Sequence, residues 1–250
     1  MVLTDRLSSK WGGVLAVSAF VIFWFNLLPL FAVPVPSTFS FDFLPGLILG
    51  NLLTLGPVLL FLFAFVRKYE GKGSLRAAIA SLGWNRTGIR RSLVWVVPFF
   101  LLIILSQLVV SEVAVGVFGS GVFYYPYQSS LPRWYAIQSV VYAVFSSLTE
   151  ETVGVAYIVD RLMPTHPATL RSASGAVLVR ALVAVLYHFT TYLVLFRFSL
   201  ALAMVNFVSA FVTFVIIGFA YVRSGTRNIA GPWAIHYMLD VLMVLETYTL

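Results

Sequence analysis

The chain has no cysteine among its 250 residues. Disulfides, thiolate nucleophiles and cysteine-based metal sites are therefore excluded. Charge is scarce too. Only 10% of residues are Asp, Glu, Lys or Arg, against about 25% in an ordinary soluble domain. There are nine acidic residues and three histidines. The sequence shows no low-complexity tract, no clear internal repeat and no lipidation motif. Instead, 60% of residues are hydrophobic and the mean hydropathy is +0.96. A water-soluble globule of this length cannot hide so much apolar surface. That excludes a soluble enzyme, a nucleic-acid-binding domain and a disordered chain.

Long uncharged runs explain the composition. Trp11–Phe41, Phe43–Val66, Ser92–Ser111 and Phe198–Val222 contain no charged residue. Each reaches the roughly 20 residues needed to cross about 30 Å of hydrocarbon as a helix. Tyr135–Leu162, Gly175–Phe196 and Pro232–Leu250 are apolar with isolated polar groups. The expectation is an all-α, polytopic transmembrane helical bundle of seven spans. An eighth follows if Val113–Tyr125 or Ser74–Leu82 dips into the bilayer. Lipid leaves no partner for unpaired backbone groups, and the runs are too long for barrel strands. The first run is too long for a signal peptide and reads as a retained anchor. A single integral domain over 1–250 is expected, with peripheral N-terminal spans over 1–70 and a core over 75–245.

The net charge of +7 has a topological explanation. With the N-terminus in the cytoplasm, Arg6, Lys10, Arg67, Lys68, Lys72, Arg76, Arg86, Arg90, Arg91, Arg161, Arg171, Arg223 and Arg227 fall inside. Only Arg133 and Arg197 fall outside, and Arg180 lies within a span. This is a strong positive-inside bias. It accounts for the basic balance with no nucleic-acid partner and places the chain as a multi-pass protein of the plasma membrane. Ser74–Leu82 is short enough to lie on the anionic inner leaflet, although its basic loop reads foremost as a topology signal.

Ionisable groups inside a bilayer are costly and mark function by default. Glu150 and Glu151 sit side by side in the fourth span, His188 in the fifth, and His236 and Asp240 in the seventh. At about 1.5 Å per residue, Glu150 is roughly 18 Å, His188 roughly 20 Å and Asp240 roughly 12 Å from the inner surface. The groups can thus meet in one cavity open to the cytoplasm. His236 and Asp240 are four residues apart and share a helix face. The adjacent glutamates point about 100° apart, so one can act as general base while the other supports a neighbouring helix. A histidine beside the base can hold water, and His236 with Asp240 can stabilise an oxyanion if they present donors. The same residue types also ligate zinc.

Glu150-Glu151, a lone intramembrane His188, and His236-x-x-x-Asp240 occur in the order seen in the CPBP family. These are the CAAX-processing and bacteriocin-processing intramembrane proteases, also called the Abi family, which include the type II prenyl endopeptidases. The run Arg227–His236 is similar to the family's approach to its third motif, and Ser81-Leu82-Gly83-Trp84 resembles the loop before its core. The resemblance implies that Glu150 activates water with His188 as partner. It implies that His236 and Asp240 form the oxyanion site, where the prenyl-protease branch usually has Asn, and that Glu151 is the second glutamate of the first motif. No cofactor is required on such a glutamate mechanism. A divalent metal, zinc for example, would be held by Glu150, His188 and His236. The implied partners are the lipid bilayer and a membrane-associated or lipidated peptide or protein substrate.

The sequence departs from the family pattern at three positions. Val155 stands where the first motif has arginine, Ala156 where a glycine often follows, and Ala184 where the second motif has phenylalanine. Arg180 is a candidate substitute cation, paired with Glu151 or Glu150. Two other readings compete with proteolysis: a non-catalytic scaffold or immunity protein of the same fold, and a proton-coupled transporter built on a Glu/His/Asp relay. Ser147 and Thr149 read as packing or backbone-bonding residues. Tyr187, Tyr192, Tyr237 and Trp233 read as core or interface aromatics. Phe123–Tyr127 with Trp134 and Tyr135 reads as an outer aromatic belt. Asn206 reads as an interhelical hydrogen-bonding group, and Asp160 with Arg161 as the inner end of the fourth span.

Overall fold

The computed structural model describes residues 9–27, 52, 55–119, 135–163, 165, 167–190 and 200–249. Every regular element among them is helical. They are α1 (Lys10–Leu27), α2 (Gly56–Tyr69), α3 (Leu75–Ser81), α4 (Ile89–Leu93) and α5 (Val96–Phe118), followed by α6 (Tyr135–Glu151), α7 (Leu170–Tyr187), α8 (Leu200–Ser224) and α9 (Ala230–Thr249). Helix α6 runs on through a π-helical stretch, Thr152–Val159, into a last turn, Asp160–Leu162.

Four described helical segments are long and apolar enough to cross a membrane: Lys10–Leu27, Ile89–Phe118, Leu170–Tyr187 and Leu200–Ser224. The run lengths predict seven to eight. Parts of the first, second and fifth expected spans lie outside the described residues, and the fourth is divided by the π-helical stretch. The aromatic cluster 123–127 with Trp134, Arg133, Tyr192 and Arg197 also lie outside them. The first part of Val113–Tyr125 simply extends α5 as far as Phe118. Ser74–Leu82 forms the short helix α3, capped by Ser74, whose hydroxyl accepts from Ala77 N at 3.2 Å.

The helices are built as a lipid-facing shell around a polar seam. Helix α5 exposes Val97, Leu101, Leu105, Leu108, Val109 and Val113, an apolar face that only lipid or another protein would cover. By contrast, all eight residues from Thr152 to Val159 are buried. They pack against α7, α8 and α1, while α9 packs along α6 and α8 lies between α7 and α5. Helix α7 starts at Leu170, five residues before the expected Gly175. A capping box sets this start: Thr169 Oγ1 accepts from Ser172 N, and Ser172 Oγ accepts from Thr169 N, each at 3.1 Å. Polar groups stitch the helices together. Gln107 on α5 bonds Ser209 and Thr213 on α8. Asn26 on α1 donates to Leu186 O and accepts from Thr190 N, both at 2.8 Å. Asn206 departs from its expected interhelical role and bonds Leu202 O of its own helix.

The entry to α9 is fastened to the 85–92 segment. Asn228 is buried and donates to Asn85 O at 2.6 Å and Thr87 O at 3.2 Å. Its Oδ1 accepts from Ala230 N at 2.9 Å. Ser92 Oγ donates to Asn228 O and accepts from Gly231 N. Glycine is required at 231 because a Cβ there would run into the Ser92 carbonyl. These bonds satisfy free N–H groups at a helix start and fix how α9 enters the bundle.

Candidate active site

The polar residues expected from the sequence converge. Glu150 and Glu151 end α6, His188 caps the C-terminus of α7, and His236 and Asp240 lie on α9. Glu150 Oε2 stands 3.8 Å from His188 Nε2 and 3.9 Å from His236 Nε2. His236 Nε2 is also 3.7 Å from Asp240 Oδ1, one helical turn away. These separations are too long for direct hydrogen bonds, but one water molecule can bridge them. The cluster is most open at His188 and Asp240. The His188 and Asp240 side chains are 22% and 18% exposed, whereas Glu151 is fully buried.

Glu151 has a different environment. Its Oε1 accepts from Arg180 at 2.5 Å and faces His236 Nδ1 at 2.8 Å. Arg180 is buried, and its guanidinium lies 4.2 Å from the centre of the Phe214 ring. The π-helical stretch makes room for it. A Cβ at Gly154 would stand 2.6 Å from Arg180 Nε, closer than a Cβ approaches any non-bonded heavy atom. Val155, at the family's arginine position, is buried in the apolar core. A cation thus reaches Glu151 from α7 instead of from its own helix.

Both imidazoles are oriented by their Nδ1 atoms. His188 Nδ1 lies 2.8 Å from Ala184 O, a carbonyl that can only accept, so Nδ1 carries a proton and Nε2 faces Glu150. His236 uses Nδ1 on Glu151 and likewise turns Nε2 inward. A histidine with Nδ1 anchored in this way suits metal ligation. The spacing does not. Tetrahedral nitrogen and oxygen ligands around zinc lie about 3.3 Å apart, and Glu150 is 3.8 and 3.9 Å from the two rings. Among the described residues no three His, Asp or Glu side chains close on one point to hold a metal ion.

Several contributors were not legible in the sequence. Tyr187, expected as a core aromatic, donates its hydroxyl to Glu150 Oε2 at 2.7 Å. Phe214 stacks on His188 at 5.9 Å and meets His236 edge-on at 5.5 Å, so one ring floors both histidines and Arg180. Trp84 Nε1 donates to Thr152 Oγ1 at 2.8 Å, next to the glutamate pair. Only the position of Trp84 in the motif-like loop drew attention to it. Ser147 bonds Ala143 O on its own helix, as its type suggests. Asp160 and Arg161 do more than end a span: Arg227 Nε is 3.3 Å from Asp160, Tyr221 donates to Asp160 at 3.1 Å, and Arg161 pairs with Glu70.

The long apolar helices and the buried Glu/His cluster define an integral membrane protein with a polar centre inside its bundle. Residues 132–242 match the family model of the Rce1-like type II CAAX prenyl endopeptidases, and over this segment the chain is similar to the CPBP/CAAX protease family. The match begins after the Ser81–Trp84 loop. No curated protein and no solved structure matches the chain.

Proposed function

We propose that the chain is a membrane-embedded endopeptidase of the CAAX prenyl protease type, with Glu150 as general base. The carrying observation is the position of Glu150 Oε2 between two imidazole Nε2 atoms at 3.8 and 3.9 Å, while Glu151 is engaged with Arg180. A water seated between Glu150 and His188 gives one hydrogen bond to each. Glu150 takes the first proton as the water oxygen attacks the scissile carbonyl carbon. His236, bonded through Nδ1 to Glu151, turns Nε2–H toward the carbonyl oxygen as an imidazolium, with Asp240 alongside. Collapse of the tetrahedral intermediate breaks the C–N bond. Glu150 returns its proton to the departing amine, leaving a free carboxyl on the other fragment. Tyr187 positions Glu150, and no step uses a metal ion.

A lipidated or membrane-associated peptide would enter on the His188/Asp240 side, and the positive-inside bias orients that chemistry toward the cytoplasm. The second reading, a non-catalytic scaffold of the same fold, is favoured by Val155 alone. A fluorogenic prenylated CAAX peptide and a panel of membrane-protein tails, offered to the full chain in liposomes, separate the two. Wild type cleaves, and Glu150→Gln and His188→Ala lose at least about 100-fold in rate with unchanged thermal unfolding. Chelator leaves the wild-type rate intact. Cleavage retained by Glu150→Gln would overturn the proposed base, and loss of activity on chelation would overturn the metal-free route.

A further inference from the structure

A polar cavity of about 320 Å³ lies away from the glutamate pair, which does not line it. Its ionisable lining is Lys10, Lys72, Arg161, Arg227, Glu70 and Asp160. Lys10 opens α1, while Glu70 and Lys72 directly follow α2. The cavity therefore sits at helix ends, which the positive-inside reading puts at the cytoplasmic headgroups. Among the described residues the charges of its lining do not balance. Glu70 is paired with Arg161 and Asp160 with Arg227, so each acid already has a cation. Lys10 and Lys72 have no ion-pair partner among the described residues and bring two uncompensated positive charges to one cavity. Ser81 and Thr165 add hydroxyls to the lining.

We infer that this cavity binds the phosphate group of an anionic glycerophospholipid. Two free ammonium groups, two hydroxyls and a polar floor suit a phosphate diester. The volume admits a headgroup with its glycerol. A basic pocket between membrane helices has this use on physical grounds, because the headgroup phosphate is held at fixed depth by its acyl chains. The apolar faces of the neighbouring helices give those chains a place to lie. The inference stands on this cavity alone and does not depend on proteolysis.

The test is thermal unfolding of the purified full chain in detergent, titrated with phosphatidylglycerol, phosphatidylcholine or inorganic phosphate. Phosphatidylglycerol is expected to raise the midpoint, and neither of the others to do so at matched concentration. Lys10→Gln/Lys72→Gln is expected to need about 30-fold more phosphatidylglycerol for the same shift. Lys68→Gln/Arg76→Gln removes the same charge from residues that do not line the cavity, and should respond as wild type. Equal shifts with phosphatidylcholine, or a wild-type response from Lys10→Gln/Lys72→Gln, would overturn the inference. So would an equal loss in the Lys68/Arg76 variant, which would show diffuse surface attraction. A response to inorganic phosphate as large as that to phosphatidylglycerol would reassign the cavity to a soluble phosphate.

Discussion

Arg180 has five N–H donors, and one of them meets Glu151 while Nε and Nη1 find no partner among the described residues. Such a pair carries more specificity than stability. Removing one member strands a buried charge, whereas removing both costs little. Arg180→Met is expected to destabilise the protein by about 3–5 kcal/mol. Arg180→Met/Glu151→Met should recover most of that stability without recovering cleavage, as read by thermal unfolding and peptide hydrolysis side by side. Recovery of activity in the double variant would reduce Glu151 to a structural role. At this scale much of the cluster was legible, since an isolated ionisable residue in an apolar run is conspicuous. Arg180 could be singled out as an arginine set well inside a span, away from its ends. Tyr187 could not. Its spacing is that of a core aromatic, and its partner lies 37 residues away on another helix.

Hydropathy at the element scale locates helices but not their internal winding. Nothing in Thr152–Val159 announces that the hydrogen-bond ladder slips into π geometry, because that step answers to packing against α7. The widened turn begins directly after the glutamate pair and brings Gly154 against Arg180. Gly154→Ala is therefore expected to destabilise by about 1–3 kcal/mol through overpacking. It should lower cleavage by more than the unfolded fraction explains, because Arg180 must move off Glu151. Activity per folded molecule, with folding followed by near-ultraviolet circular dichroism, checks this. Unchanged specific activity would mean that the guanidinium has slack. Helix ends were poorly legible for a related reason. The fifth apolar run continues past His188 to Phe196, whereas α7 breaks at His188, with Phe189 and Thr190 helical again and 191–196 outside the described residues.

For the whole molecule, the absence of cysteine becomes an asset. A single introduced cysteine reports unambiguously on sidedness to a membrane-impermeant maleimide. With the orientation expected from the basic loops, Lys72→Cys is labelled only after the membrane is opened, whereas Arg133→Cys is labelled in intact cells. The reverse pattern would invert the proposed cytoplasmic access. The family segment begins at residue 132, but the fastening of α9 does not. Asn228 and Gly231 are held by Asn85, Thr87 and Ser92, and Thr152 is held by Trp84. The helix that carries His236 is thus clamped by a part of the chain outside the region of recognisable kinship. The edge of the matched segment and the edge of the hydrogen-bonded unit that holds α9 do not coincide in this protein. A shortened chain cut at the former would carry the glutamate pair, both histidines and Asp240, yet lack the clamp that sets the angle of the last helix.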